Sequence, residues 1–180
     1  MKCLTYLLTP VLLLAVSADA VSQSGSPAAS QKEVKPAAPA FNLTSIDGKK
    51  FELSSLRGKV VVLNFWFTGC APCVEEMPKL NALVDEFDDE DAVFIAPTLD
   101  AAPVLQTFLK EHPFKYHVIP NAGGLILGPY SDGTDNVVFP MHFVIDREGR
   151  IDTKIAGAKD FAELRKAIAR LVKTRVGKAR

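Results

Sequence analysis

Residues 59–67 (KVVVLNFWF) form an almost continuous β-branched and aromatic run, the pattern of a central strand covered on both faces. The spacing then changes. Val74, Met77, Leu80, Leu83, Val84 and Phe87 recur every three or four residues, which predicts an amphipathic helix over 73–87 with a kink at Pro78. Residues 92–96 (AVFIA) read as a second buried strand, and 103–111 as a helix opened by Pro103 and ended by His112-Pro113. Upstream, residues 41–44 and 50–53 flank Asp47-Gly48, a hairpin turn in which both residues tolerate positive φ. Residues 54–58 read as one helical turn stopped by Gly58. Downstream, 115–119 reads as a short strand and 120–136, punctuated by Gly123-Gly124, Gly128-Pro129 and Asp132-Gly133, as loop. Residues 141–146 and 150–155 pair across Arg147-Glu148-Gly149. Asp160 then caps a last helix with Phe161, Leu164, Ile168, Leu171 and Val172 as its apolar stripe. A hairpin, alternating strands and helices, and a closing antiparallel pair predict an α/β fold with a mixed central sheet and helices on both faces.

The N-terminus has a different character. Residues 1–20 (MKCLTYLLTPVLLLAVSADA) place Lys2 before an apolar run at 7–16 and close on Ala18-Asp19-Ala20, the layout of a secretory signal. The run is shorter than the roughly 20 apolar residues of a membrane-spanning helix, so a membrane tether is expected only if this segment stays uncleaved. Residues 21–39 are rich in Ser, Ala and Pro without periodicity and read as a flexible linker. The folded domain is expected over 40–175, with a basic tail at 176–180.

Composition narrows the class. The 180 residues are 48% apolar, and 21 Lys and Arg balance 21 Asp and Glu. Such a chain is long enough for one domain with a sizeable core, and its zero net charge argues against a nucleic-acid partner. Of three cysteines, Cys3 would leave with the signal, so the mature chain would carry Cys70 and Cys73 alone.

These two form a Cys-x-x-Cys motif between a buried strand and an amphipathic helix. At the helix start, unpaired N–H groups and the helix dipole favour a thiolate on Cys70, and Cys73 one turn inward becomes the resolving thiol. Pro72 fits there because an N–H in the first turn has no helical partner to lose. A half zinc site and a purely structural disulfide are the competing readings. The first lacks a second cysteine pair, since His112, His117 and His142 are scattered singly.

With Phe65-Trp66-Phe67-Thr68-Gly69-Cys70-Ala71-Pro72-Cys73, Pro78 and the segment 138–151 (VFPMHFVIDREGRI), residues 40–172 resemble the TlpA/ResA-type thiol-disulfide oxidoreductases. These are exported thioredoxin-fold proteins of the AhpC/TSA-redoxin superfamily. The resemblance implies a thioredoxin-like fold with an N-terminal β-hairpin and a central βα insertion at 98–136. It implies Cys70 as attacking and Cys73 as resolving cysteine. Pro140 matches the family's cis-proline, leaving the Phe139 backbone free to pair with an extended substrate. Glu76 matches a carboxylate that ResA-type reductases hold near the cysteines, where it would exchange a proton with the Cys73 sulfur; a solvated helix glutamate is the alternative. Trp66 is expected in the core and as a substrate-subsite wall. The implied partners are disulfide-bearing proteins and an upstream redox donor. The protein is expected to act as a periplasmic or otherwise exported monomeric reductant, without metal or other cofactor, in cytochrome c maturation or copper-centre assembly.

Departures from the family pattern matter as much. Gly69 stands where Trp is common, Asn64 stands where thioredoxin keeps a buried acid, and Phe139-Pro140-Met141-His142 is bulkier than the usual small residues around the cis-proline, so that the large side chain before Pro140 is expected to narrow or reshape the docking groove. His142 reads as a core histidine; if it reached the cysteines, Cu(I) binding by two thiolates with His142 or Met141 would follow. A thiol peroxidase is the other alternative, but Phe67 occupies the position where such enzymes need Thr or Ser.

Overall fold

A computed structural model describes residues 35–87, 91–131, 137–158 and 160–174. The expected signal, the linker up to 34, the acidic turn at 88–90, the Asp132-Gly133 turn and the tail from 175 lie outside the described residues.

β3 (Val60–Phe65) is buried at all six positions, as its unbroken apolar character demands. It is the middle strand of a five-stranded sheet. β4 (Ala92–Pro97) runs parallel to it on one side, with β5 (His117–Ile119) parallel beyond. β6 (Met141–Ile145) pairs antiparallel on the other side, followed by β7 (Ile151–Ala156). A separate hairpin, β1 (Asn42–Thr44) and β2 (Lys50–Glu52), precedes the sheet and leads into a 3-10 turn at Leu53–Leu56.

Alternation along β3 sorts the core into two layers. Val60, Val62 and Trp66 face α1 (Ala71–Glu86) and α4 (Phe161–Lys173), with Leu105 of α2 (Ala102–Glu111) in the same cluster. Val61, Leu63 and Phe65 face Phe41, Phe51 and Leu53 of the hairpin region together with Ile126 of α3 (Gly123–Ile126) and Tyr130. Helices therefore cover both faces, unevenly: three long ones on one, a single turn and the hairpin on the other. Among the described residues no helix is long and apolar enough to cross a membrane.

Four expectations need correction. The hairpin loop spans 45–49 and is closed by Ser45, whose N–H donates to Lys49 O (2.9 Å) and whose hydroxyl oxygen accepts the Lys49 N–H (3.1 Å). Of Asp47-Gly48 only Gly48 adopts positive φ, at 84°. The segment 120–136, read as loop, contains α3. Buried Ala122, Ile126 and Tyr130 recur at helical spacing, which the intervening glycines masked. Asp160 stands at the N-cap of α4, but its carbonyl rather than its side chain accepts the first amides, from Glu163 (3.0 Å) and Leu164 (3.1 Å). Finally, residues 35–39 of the expected linker are docked. Ala37 bridges Arg150, Ile151 N–H donates to Pro36 O (2.9 Å) and Tyr130 hydroxyl donates to Pro39 O (2.9 Å). Backbone groups make these contacts, so side-chain periodicity carries no trace of them.

Candidate active site

The site forms where β3 ends and α1 begins. Phe67 O accepts the Cys70 N–H (3.0 Å), turning the chain. Cys70 is the extended N-cap residue of α1, and its carbonyl accepts from Cys73 N–H (3.0 Å) and Val74 N–H (3.1 Å). Pro72 lies in the first turn and Pro78 within the helix, whose assignment continues through it. Cys70 and Cys73 are joined as a disulfide, with Cα atoms 5.3 Å apart. Cys70 keeps 6% of its surface exposed and Cys73 only 1%, so the first sulfur is the accessible one.

The loop ahead of Cys70 is tied down by Asp100, a residue the sequence did not single out. Its carboxylate accepts from Thr68 N–H (2.7 Å), Thr68 hydroxyl (3.2 Å) and the fully buried Thr98 hydroxyl (2.9 Å). An acid just past an apolar strand end was the available signal. The insertion closes on the same corner: Ala122 N–H donates to Thr98 O (2.8 Å), and Asn121 N–H to Asp100 O (2.9 Å) with Asn121 at φ 54°.

The Phe139–Pro140 bond is cis. Pro140 is buried and its carbonyl accepts Gly157 N–H (2.7 Å); Phe139 is half-buried behind an exposed Val138. The Phe139 ring meets Phe67 edge to face at 5.2 Å. A Cβ placed on Gly69 would lie 3.2 Å from that same Phe67 ring, so Phe67 lies against the space a side chain at 69 would use. Trp66 is wholly buried, with its Nε1–H donating to Ala96 O (3.4 Å) and its ring packed against Phe108 and Phe114. It is a core residue and not a wall of any substrate subsite, because no part of it reaches solvent.

Glu76, Asn64 and His142 form a polar triangle. Glu76, three residues after Cys73 on α1, is buried at 7% exposure, which removes the solvated-glutamate alternative. Its Oε1 accepts from Asn64 Nδ2 (3.3 Å) and lies 3.2 Å from His142 Nε2; Asn64 Nδ2 is also 3.2 Å from His142 Nδ1. The β3–β6 register sets Asn64 directly opposite His142. His142 is thus buried as expected, but in a polar cluster. Nearby, burial pushes the Tyr116 phenol well above its usual range and the Glu76 charge adds to this; among the described residues the Tyr116 hydroxyl has no hydrogen-bond partner. Among the described residues no three His, Cys, Asp or Glu gather in a metal-binding group.

An accessible sulfur at a helix start, a covered partner sulfur and a buried carboxylate one turn on can break and remake a disulfide and move the accompanying proton. Known proteins resemble this chain. The AhpC/TSA family matches residues 34–154. A thiol-disulfide oxidoreductase ResA of Bacillus cereus is 38% identical over 128 residues, covering 71% of this chain and 72% of the relative. A thiol:disulfide interchange protein of the thioredoxin family from Chlorobium tepidum superposes with a TM-score of 0.66 at 27% identity, over 77% of this chain and 97% of that one. A secreted Mycobacterium tuberculosis disulfide oxidoreductase homologous to DsbE of E. coli gives 0.59 at 25% identity, over 73% and 96%.

Proposed function

The chain belongs to the AhpC/TSA family and is a thiol-disulfide oxidoreductase of thioredoxin-like fold, and from that premise we propose that it acts outside the cytoplasm as a reductant of protein disulfides. The Cys70 thiolate, favoured at the start of α1, attacks one sulfur of a substrate disulfide and displaces the other as a thiolate. Cys73 gives its proton to Glu76, attacks the Cys70 sulfur and releases the second substrate sulfur. Two electrons pass to the substrate, and an upstream redox protein then re-reduces the Cys70–Cys73 disulfide. The backbone at Phe139, beside Pro140 and the exposed Val138, receives the substrate strand.

The observation that carries this reading is the exposure difference between two sulfurs on one helix turn, with a covered carboxylate following them. Export is supported by Lys2 and the apolar run behind it, and by the secreted state of the M. tuberculosis neighbour. Substrates of cytochrome c maturation or copper-centre assembly are supported by the TlpA/ResA resemblance.

Trapping tests the roles. Cys73→Ser is expected to accumulate mixed disulfides with its substrates and Cys70→Ser none; the reverse pattern overturns the assignment. Direction is tested by potential. A value near about −270 mV supports a reductant, and one near about −120 mV makes the protein an oxidant instead.

A further inference from the structure

The layer between the sheet and α1 is apolar at Val62, Trp66 and Val144 on the sheet and at Met77 on the helix, yet it encloses an amide, a carboxylate and an imidazole. A covered carboxylate is costly unless hydrogen-bonded, so this grouping calls for an account. The hydrogens can be counted. Asn64 Nδ2 carries two, and its neighbours are Glu76 Oε1 at 3.3 Å and His142 Nδ1 at 3.2 Å. With Nδ1 accepting from the amide, a neutral ring carries its proton on Nε2, 3.2 Å from the same Glu76 oxygen. One carboxylate oxygen is thereby served by both partners.

We propose that His142 is a positioning residue for Glu76, and that the carboxylate and imidazole form one proton-holding unit serving the Cys73 sulfur. This rests on the oxidoreductase reading above. His142 keeps the carboxylate aimed, so that Glu76 can take the Cys73 proton as Cys73 attacks the mixed disulfide. The Cys73–H bond breaks, the Glu76–H bond forms, the Cys70–Cys73 bond forms and the substrate thiolate leaves. The proton then leaves Glu76 for water. Both residues lie beside Gly157, Asp160 and Phe161 at the start of α4. The titratable groups facing the pair are Cys73 on α1, Tyr116 ahead of β5 and Asp160 at the α4 N-cap. Asn64 from β3 is neutral, and β7 contributes the apolar Ile155.

Nuclear magnetic resonance on the reduced, unmodified protein reads the unit directly. The His142 ring is expected to show a hydrogen-bonded proton on Nε2 and an accepting Nδ1. In Glu76→Ala the Nε2–H signal is expected to move, because its acceptor has gone, while the ring signals of His112 and His117 stay. The single-turnover rate of disulfide exchange is expected to drop about a hundredfold in Glu76→Gln, by less in His142→Gln, and no further in the double variant. A His142 ring protonated on Nδ1, an unmoved Nε2–H signal in Glu76→Ala, or rate losses that multiply in the double variant would each overturn the proposal. Failure of Cys73→Ser to trap any protein sinks the oxidoreductase roles but leaves the ring signals to be read on their own. Intact trapping with an unmoved Nε2–H signal sinks only the role of His142.

Discussion

Asp100 shows how one residue outside the motif governs the motif. Its carboxylate holds Thr68 N–H and the buried Thr98 hydroxyl, fixing the loop two residues before Cys70. Asp100→Ala leaves these donors unpaired and is expected to cost about 1–3 kcal/mol; Asp100→Asn, which keeps an acceptor oxygen, costs less. Urea denaturation measures the loss, and the exchange rate of the reduced protein should fall with it. An unchanged denaturation midpoint in Asp100→Ala would show that the clamp contributes nothing. Cys70 and Cys73 were legible in the sequence because their chemistry lies in a local spacing and in the helix pattern after it. Asp100, Asn64 and the partnership of His142 were not, because each meets its partner across at least thirty residues or in another strand. Trp66 was misjudged for a related reason: its place next to the motif says nothing of the Phe108 and Phe114 rings that cover it.

At the scale of elements, the hairpin is held against the sheet through β5. Ile46 N–H donates to Val118 O (2.8 Å), Lys49 Nζ lies 3.4 Å from His117 Nε2, and the Phe51 ring sits 4.7 Å from that imidazole. Burial holds His117 below its usual value; the Lys49 ammonium adds to this and Asp47 opposes it. The unfolded chain takes up this proton near about pH 6.5. The contribution is therefore complete above that pH and is lost as pH falls through the lower native value. The protection of the Ile46 amide against hydrogen exchange, relative to its intrinsic rate, is expected to fall from pH 7.5 to 5.5, and His117→Asn to remove that dependence; equal protection at both pH values would refute it. Long apolar runs made β3, β4 and α1 readable, since their burial is carried by the side chains themselves. The turn of α3 and the five-residue hairpin loop escaped, because glycine content hid the former and backbone closure by Ser45 set the latter.

Across the whole molecule, Asp152 of β7 joins three remote pieces of chain. Lys35 ahead of the hairpin and Arg170 of α4 both donate to its carboxylate, as does Thr153. Burial pushes this acid up, but the hydrogen bonds of Arg170, Lys35 and Thr153 together outweigh it and hold it below the usual carboxylate range. Its stabilisation is thus complete above the unfolded value near 3.8 and disappears as pH falls through the native one. Asp152→Asn is expected to lower thermal stability at pH 7 and to flatten its decline in acid; parallel stability curves for the two proteins would exclude the role. The fold class was readable because alternating elements admit few arrangements, whereas the early start of the domain depended on contacts such as Lys35 to Asp152 that no local pattern encodes. Val138 and Phe139 lie at the rim of the sheet, and His142 only three residues further on lies sealed beneath it. A lineage that altered residues 138–139 would change which clients dock while leaving the buried acid undisturbed, and one that altered residue 142 would retune the chemistry without any docked client meeting a new surface.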